Sequence, residues 1–476
     1  VRNFRENKEL KIKIHPFWML LAFTARLRDS LFIYVLINLL SHYIYSILFF
    51  KTPILISYIL ISLVSIIFYW KNYTIEVNEE FILLKKGAFF KTQKKVDLKN
   101  IVGYSINKNI FEKLLNLSSL KLTTAEIDSK EGIKIHYINN DNLRRLLSLM
   151  QVNKDDHSYP NVDFSIDKVL LTKKAFSSVS ALIFISFVYT LSNQISDFIK
   201  INIPIKNIIS FFQESTFNFI LGLSLLYLFS LIFSFIKTFL TYSNFKLFNN
   251  DNFIRTDHGL LKSNENLIQK DNISVISVQS NFLESLLNIS KIKVINSFED
   301  EDNKLETNVI TPIINNDNKY DFIYKFLNVN MYDKEYNLKG LSMYSIIPKI
   351  IRTSILWVPL VLILLTINSI ILIIIVGLII AYVLASQILQ IFLTKYGYSK
   401  VNLNIKKRGL SSSQSLIRFT DIKEIILSQS FLQRLFNINS LKIVTLATPP
   451  KKIVLHDLNE KHSYDIVNSF KNNCSM

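Results

Sequence analysis

The chain has 476 residues, 49% of them hydrophobic and 36 of them phenylalanine, with a mean hydropathy of +0.27. That is too apolar for an ordinary soluble enzyme of this size. The formal net charge is +18, and the single cysteine, Cys474, rules out an intramolecular disulfide and fits a reducing compartment.

In chain order, the apolar residues fall into blocks. Residues 31–50 and 53–70 come first, 175–199 and 216–236 second, and 355–393 third. The last block is long enough for two crossings at about 20 residues per bilayer. Each block predicts a membrane hairpin, giving six spans. A strand reading fails on length, because strands usually stop within about ten residues. The first block is not a cleavable signal peptide, since a second apolar segment follows at once with no small-residue cleavage site between. The first residue, Val1, implies a non-methionine start codon or a trimmed N-terminus. Inside the hairpins the only basic residues of the connections are Lys51, Lys200 and Lys206. Nearly all other Lys and Arg lie in the N-terminal segment or after each hairpin, so the positive-inside rule puts those stretches in the cytoplasm.

The polar stretch after each hairpin repeats one order of features. An alternating run ends at a glycine: YTIEVNEEFILLKKG (73–87), FKLFNNDNFIRTDHG (245–259) and YSKVNLNIKKRG (398–409). Period-two alternation predicts half-buried strands, with Gly87, Gly259 and Gly409 turning one strand into the next where a positive φ is cheap only without a Cβ. A second alternating run follows. Then comes a phrase written three times: IFEKLLNLSSLKL (110–122), FLESLLNISKIKV (282–294) and FLQRLFNINSLKI (431–443). Its first half carries apolar residues at helical spacing, so it predicts one or two turns of helix. Asn116, Asn288 and Asn437 then stand where a left-handed residue ends the helix, and strand alternation resumes. Each stretch closes with an amphipathic helix near 140–150, 316–329 and 458–470.

The predicted organisation is therefore an N-terminal segment and hairpin (1–72), a β-rich domain (73–150), a linker (151–168), a second hairpin (169–240) and domain (241–329), a linker (330–345), and a third hairpin (346–394) and domain (395–473).

These residues resemble a known family. VQSNFLESLLNISKIKV (278–294) and LSQSFLQRLFNINSLKI (427–443), with INKNIFEKLLNLSSLKL (106–122) as a looser copy lacking the Gln, are similar to the bacterial pleckstrin-homology-like membrane proteins of the YdbS/YdbT type, in their three-unit form. The entry KIHPFWMLLAFTARLRDSLF (13–32) matches too, and the resemblance covers almost the whole chain. The family commonly has glycine where Asn116, Asn288 and Asn437 stand, a departure the left-handed cap tolerates. The resemblance implies an α+β membrane protein with three repeats of a helical hairpin and a pleckstrin-homology-like curved antiparallel sheet of about seven strands, closed by a C-terminal helix. It also implies a smaller one-unit relative as protein partner and a role in tolerance of membrane-active peptides.

Chemistry-bearing motifs are scarce. The seven histidines are scattered with no HExxH, and GxSxG, Walker-type and GxGxxG motifs are absent, so no catalytic, cofactor or metal residues are assigned and no enzyme is expected. His42 inside a span is read as paired within the bundle, and Asn38, Asn193 and Asn368 as interhelical hydrogen-bond formers. Basic clusters around the turn glycines, Lys85, Lys86, Lys91, Lys94, Lys95, Lys406, Lys407 and Arg408, are candidates for an anionic inner leaflet. The second repeat has fewer cations at its turn, so the first and third are expected to dominate lipid binding. Nucleic acid is not an expected partner of charge dispersed over three membrane-tethered stretches. The overall expectation is a non-enzymatic scaffold in the bacterial cell membrane with three cytoplasmic PH-like domains. The alternative is a six-span transporter or channel with cytoplasmic regulatory domains.

Overall fold

The computed structural model describes residues 10–41, 47–124, 132–150, 162–178, 215–296, 308–332, 336–354, 370–447 and 450–474. His42, Asn193 and Asn368 lie outside the described residues. The chain divides into two compact units, the first comprising Val1–Val162, Phe248–Asp257 and Leu261–Gln269, the second Asp163–Leu247, His258–Leu260 and Lys270–Met476.

The elements recur three times in one order. The first set is β1 (Leu10–Ile12), α1 (Phe17–Ser41), α2 (Ile47–Asn72), β2 (Thr74–Val77), β3 (Phe81–Lys86), β4 (Thr92–Asp97), β5 (Ile101–Lys108), α3 (Ile110–Leu114), β6 (Leu117–Thr124), β7 (Ile133–Asn139) and α4 (Asn140–Leu149). The second is β8 (Phe164–Ser165), α5 (Lys168–Ser177), α6 (Thr216–Tyr242), β9 (Lys246–Asn249), β10 (Phe253–His258), β11 (Ser263–Gln269), β12 (Ile273–Ser280), α7 (Phe282–Leu286), β13 (Ile289–Asn296), β14 (Val309–Asn315) and α8 (Lys319–Leu327). The third is β15 (Lys339–Gly340), a helical stretch over 346–354, α9 (Ile370–Leu393), β16 (Lys395–Tyr398), β17 (Asn402–Arg408), β18 (Ser412–Arg418), β19 (Ile422–Ser428), α10 (Phe431–Leu435), β20 (Ile438–Thr445), β21 (Lys452–Asn459) and α11 (Glu460–Cys474).

The linkers are not wholly irregular. A short strand precedes each hairpin, with β8 and β15 lying in the two linkers: β1 pairs with β2, β8 with β9 and β15 with β16, so the chain ahead of a hairpin is fastened to the strand that leaves it.

Seven strands per repeat are present, but they do not form one curved sheet. The first four strands end at a 3-10 turn (Leu98–Asn100, Lys270–Asn272, Phe419–Asp421), and the fifth departs with a register shift between Ile101 and Gly103, Ile273 and Val275, or Ile422 and Glu424. A bulge of this kind turns a strand away from its predecessor and frees its edge. The freed edge pairs with the next repeat. In the first unit β7-β6-β5 continue antiparallel into β11 and β10, and in the second unit β14-β13-β12 continue into β18-β17-β16-β15. Among the described residues two edges have no such neighbour: β4 at the side of β1-β2-β3-β4, and β19 at the side of β19-β20-β21.

The first unit's core joins both sheet types. Ile75, Ile82 and Leu84 from the four-stranded sheet pack with Leu120, Leu122 and Ile135 and with Leu143 and Leu146 of α4. The second unit repeats this with Leu403, Ile405, Leu441, Ile443 and Ile466.

Candidate functional site

The thrice-written phrase folds as one corner. Asn109 with Glu112, Asn281 with Glu284, and Ser430 with Gln433 form reciprocal capping boxes at the short helices α3, α7 and α10. The box residue is buried each time, and its side chain accepts the cap's backbone N–H at 2.7, 2.7 and 2.9 Å. Asn116, Asn288 and Asn437 follow at φ 55°, 57° and 50°, the left-handed region that Asn tolerates. Their carbonyls accept the N–H of Asn140, Asn316 and Glu460, which ties the corner to the start of the closing helix. The capping boxes were legible as N-x-x-E and S-x-x-Q, but the sequence reading passed over them.

The turn glycines divide. Gly87 (φ 133°) and Gly259 (φ 103°) are left-handed, and a Cβ on Gly87 would meet Phe90 O at 1.9 Å. Gly409 is not at positive φ, so its turn does not require glycine on conformational grounds, contrary to the expectation for it.

The basic residues around these turns differ in exposure and bonding. Lys85 donates to Glu76 at 2.7 Å, while Lys86, Lys91 and Lys95 are exposed and Lys94 is half-buried. In the third repeat Lys406 is buried beside Tyr320, Lys407 donates to Val454 O at 2.6 Å, and only Arg408 is exposed. Burial pushes the Lys407 ammonium below its ordinary range.

A strongly charged concavity lies in the second repeat. α6 has inverted polarity: Leu228, Phe229, Ile232, Phe235, Ile236 and Phe239 are exposed, whereas Ser230, Ser234 and Thr238 are buried. At its C-terminal end the polar stripe Ser230, Ser234, Lys237, Thr238 and Thr241 faces Lys174 and Ser178 of the α5 region and Lys291 and Lys293 of β13. Together these line a pocket of about 340 Å³ with four lysines. Ser234 Oγ donates to Ala175 O at 2.8 Å, but the buried Ser230 Oγ has no hydrogen-bond partner. The capping-box Glu284 pairs with Lys174 in this cluster. Burial depresses the Lys291 ammonium, and neighbouring Lys293 depresses it further, against the opposing pull of Glu284.

The same place is built differently in the other repeats. In the first, a pocket of about 440 Å³ is lined by Trp18, Tyr69, His136 and Tyr137 with no lysine, and its one cation, Arg26, pairs with Asp29. In the third, the cations are neutralised or bonded internally: Arg352 pairs with buried Asp457 at 3.2 Å and Lys349 donates to Gln390 at 2.7 Å. The tenth residue of the phrase shows the difference. It is Ser119 and Ser440 in the first and third repeats, each hydrogen-bonded to its box residue, and Lys291 in the second. That difference stands in the sequence itself.

Among the described residues no cluster of His, Cys, Asp and Glu could hold a metal ion. One described helix, Thr52–Asn72, with a mean hydropathy of 2.1, is long and apolar enough to cross a membrane, and Tyr227–Tyr242 and Ile379–Leu393 are shorter apolar helices. No curated protein sequence matches the chain. The family described as "Bacterial PH domain" matches it three times, over residues 32–154, 202–309 and 353–472, which is well over half its length. Each match contains one whole copy of the phrase, and the chain therefore belongs to the bacterial PH domain family.

Proposed function

We propose that the protein is a non-enzymatic scaffold held in the bacterial cell membrane by six apolar spans, with its PH-like repeats on the cytoplasmic side, and that it binds another PH-like module by strand addition at β19. The apolar helix Thr52–Asn72 and the outward-facing apolar residues of α6 support the anchor.

The observation that carries the partner reading is the state of the two free edges. The joints inside the chain are β5 with β11 and β12 with β18. By position after the bulge, Ser105 and Ser277, both 5% exposed within the joints, correspond to Ile426 on β19, which is 39% exposed. The Ile425–Leu427 part of this edge is apolar and a template for another strand, with the exposed Lys423 and Glu424 confined to its start. β4 is the opposite case. Its exposed Lys95 stands where Leu267 and Leu416 are buried in the joints, and lysine on an edge opposes pairing. A second copy of this chain therefore offers a blunted edge to β19. The favoured occupant is a separate one-unit relative whose strand resembles SNENLIQ or SSQSLIR, the sequences of β11 and β18.

Cross-linking in native membranes from a cysteine placed at the exposed Ser428 of β19 tests this. Capture of a smaller PH-like protein, lost on Ile426→Lys, is the expected result. Capture only of the chain itself would transfer the reading to self-association, and no capture at this edge would end it. Reporter fusions after residues 150, 329 and 473 test the anchor separately, and reporters on opposite sides of the membrane would overturn it.

A further inference from the structure

We infer that the β3–β4 turn of the first repeat inserts into the apolar side of the lipid interface at the foot of its hairpin, with Phe89 and Phe90 as the inserted side chains. The inference rests on the membrane-anchor reading and deepens it, because it gives the bilayer a contact with the β-rich domain and not with the spans alone.

Exposure is the first argument. Phe89 is 65% and Phe90 is 90% exposed, side by side in GAFFK (87–91), and Lys86 and Lys91 flank them, exposed as well. Adjacent aromatic rings turned to water and rimmed by charge mark a contact surface. Lysine suits such a rim, since its stem lies along apolar surface while its ammonium stays in water. The backbone is built to display the rings. Gly87 has φ 133°, and a Cβ on it would meet Phe90 O at 1.9 Å, so the chain doubles back beneath the tip, closed by Thr92 Oγ1 donating to Lys86 O at 3.2 Å.

Position selects the occupant. Asn72, the last residue of the apolar helix Thr52–Asn72, donates from Nδ2 to Gly87 O at 3.1 Å and to Ala88 O at 3.2 Å, so the turn is fastened to the end of that helix. The Phe89 ring lies 6.2 Å from the ring of Phe68, which stands about 6 Å of helical rise before that end. Phe68 is itself 47% exposed, so the outward apolar surface of the helix runs on into the turn. Next to it Tyr69 stacks on Trp18 at 4.9 Å, and Trp and Tyr gather at the level where a span meets water. A surface continuous with the lipid-facing side of a span is covered by lipid.

The other repeats share the fastening but not the tip. Gly259 and Leu260 donate their N–H groups to Ser243 O and Leu240 O at the end of α6, and Gly409 lies against Ser386 and Gln390 of α9. Leu260 is only 39% exposed and Leu410 is half-buried, so the inserting turn belongs to the first repeat.

The test uses the purified full-length chain with Cys474→Ser, in nanodiscs of phosphatidylcholine, carrying one nitrobenzoxadiazole label at a time on Lys91→Cys, Glu79→Cys or Ile61→Cys. Glu79 is exposed at the other end of β3, and Ile61 is 62% exposed within the span. Lipids bearing a doxyl quencher near the headgroup or deep in the acyl chain report depth, and aqueous iodide reports water. The label at position 91 is expected to be quenched by the shallow doxyl lipid and screened from iodide, at a depth within about 5–10 Å of the headgroup boundary, and the label at 79 the reverse. Phe89→Ser with Phe90→Ser is expected to return the label at 91 to iodide, with the melting temperature of the variant reporting its fold. Iodide access at 91 equal to that at 79 would overturn the insertion, and so would screening at 91 without lipid quenching, which means that protein covers the turn. Lipid quenching unchanged by the two serines would overturn the role of the phenylalanines. The label at 61 separates the two readings: deep quenching there with none at 91 leaves the anchor standing and removes the insertion, and no lipid quenching at 61 removes the anchor itself.

Discussion

At Asn288 three requirements meet in one residue. Its φ of 57° excludes most side chains, its carbonyl receives the N–H of Asn316, and its amide donates to Asn315 and Asp317 at 3.1 Å. Asn288→Ala is expected to cost about 2 kcal/mol, from left-handed strain plus the lost hydrogen bonds, and Asn288→Gly about half of that, since glycine keeps the backbone without the side chain. Thermal unfolding of the two variants in detergent would order them, and Ala no worse than Gly would contradict the backbone argument. Gly103 is a second such position for a different reason. A Cβ there would come within 2.7 Å of Leu267 O across the β5–β11 joint. Gly103→Ala is expected to loosen that joint by about 1–3 kcal/mol and to speed hydrogen exchange in β11 more than in β18.

The short helices and the segments that pack on them carry the electrostatics. Glu284 is buried and paired with Lys174, while the third repeat achieves the same cap with Gln433 and moves its carboxylate to Asp457 against Arg352. Removing one partner of a buried pair leaves an uncompensated charge worth about 3–5 kcal/mol. Lys174→Met alone is therefore expected to destabilise strongly, while Lys174→Met combined with Glu284→Gln, which copies the third repeat's box, is expected to recover most of the loss. A double variant as unstable as the single one would show that the cap, not the charge, governs this corner. Lys291 has the opposite balance. Its ammonium is held below the ordinary range by burial and by Lys293, so Lys291→Gln is expected to raise the melting temperature by about 2 °C.

Across the whole molecule, the joints explain why the two ends of the repeat array differ. Leu267 and Leu416 are buried in the strands that join, and Lys95 is exposed in the strand that does not. Lys95→Leu is expected to convert β4 into a joining edge and to produce head-to-tail oligomers with β19, visible by light scattering in detergent. Leu416→Lys is the reciprocal change. It should open the second joint, seen as faster hydrogen exchange in β12 and β18, and Arg418, which donates to Ile273 O at 2.7 Å, would then hold the remaining contact. Unchanged oligomeric state in Lys95→Leu would show that strand shape, not charge, keeps β4 apart.

Local physics was written in the sequence. The apolar blocks, the alternating strands and the asparagines at φ 50–57° follow from residue types and short spacings, because backbone preference and side-chain periodicity act over a few residues. The threefold order followed as well, since repetition needs only comparison of the chain with itself. Strand partners were a different matter. The fifth strand of a repeat could pair with its own fourth strand or with the next repeat's third long strand, and alternation is identical in both cases. Only the bulge after each 3-10 turn and the burial of Leu267, Leu416, Ser105 and Ser277 decided for the neighbour. The lysine pocket was hidden for the same reason. Lys174, Lys237 and Lys291 are far apart along the chain, and a charge cluster assembled from three elements exists only once those elements have packed.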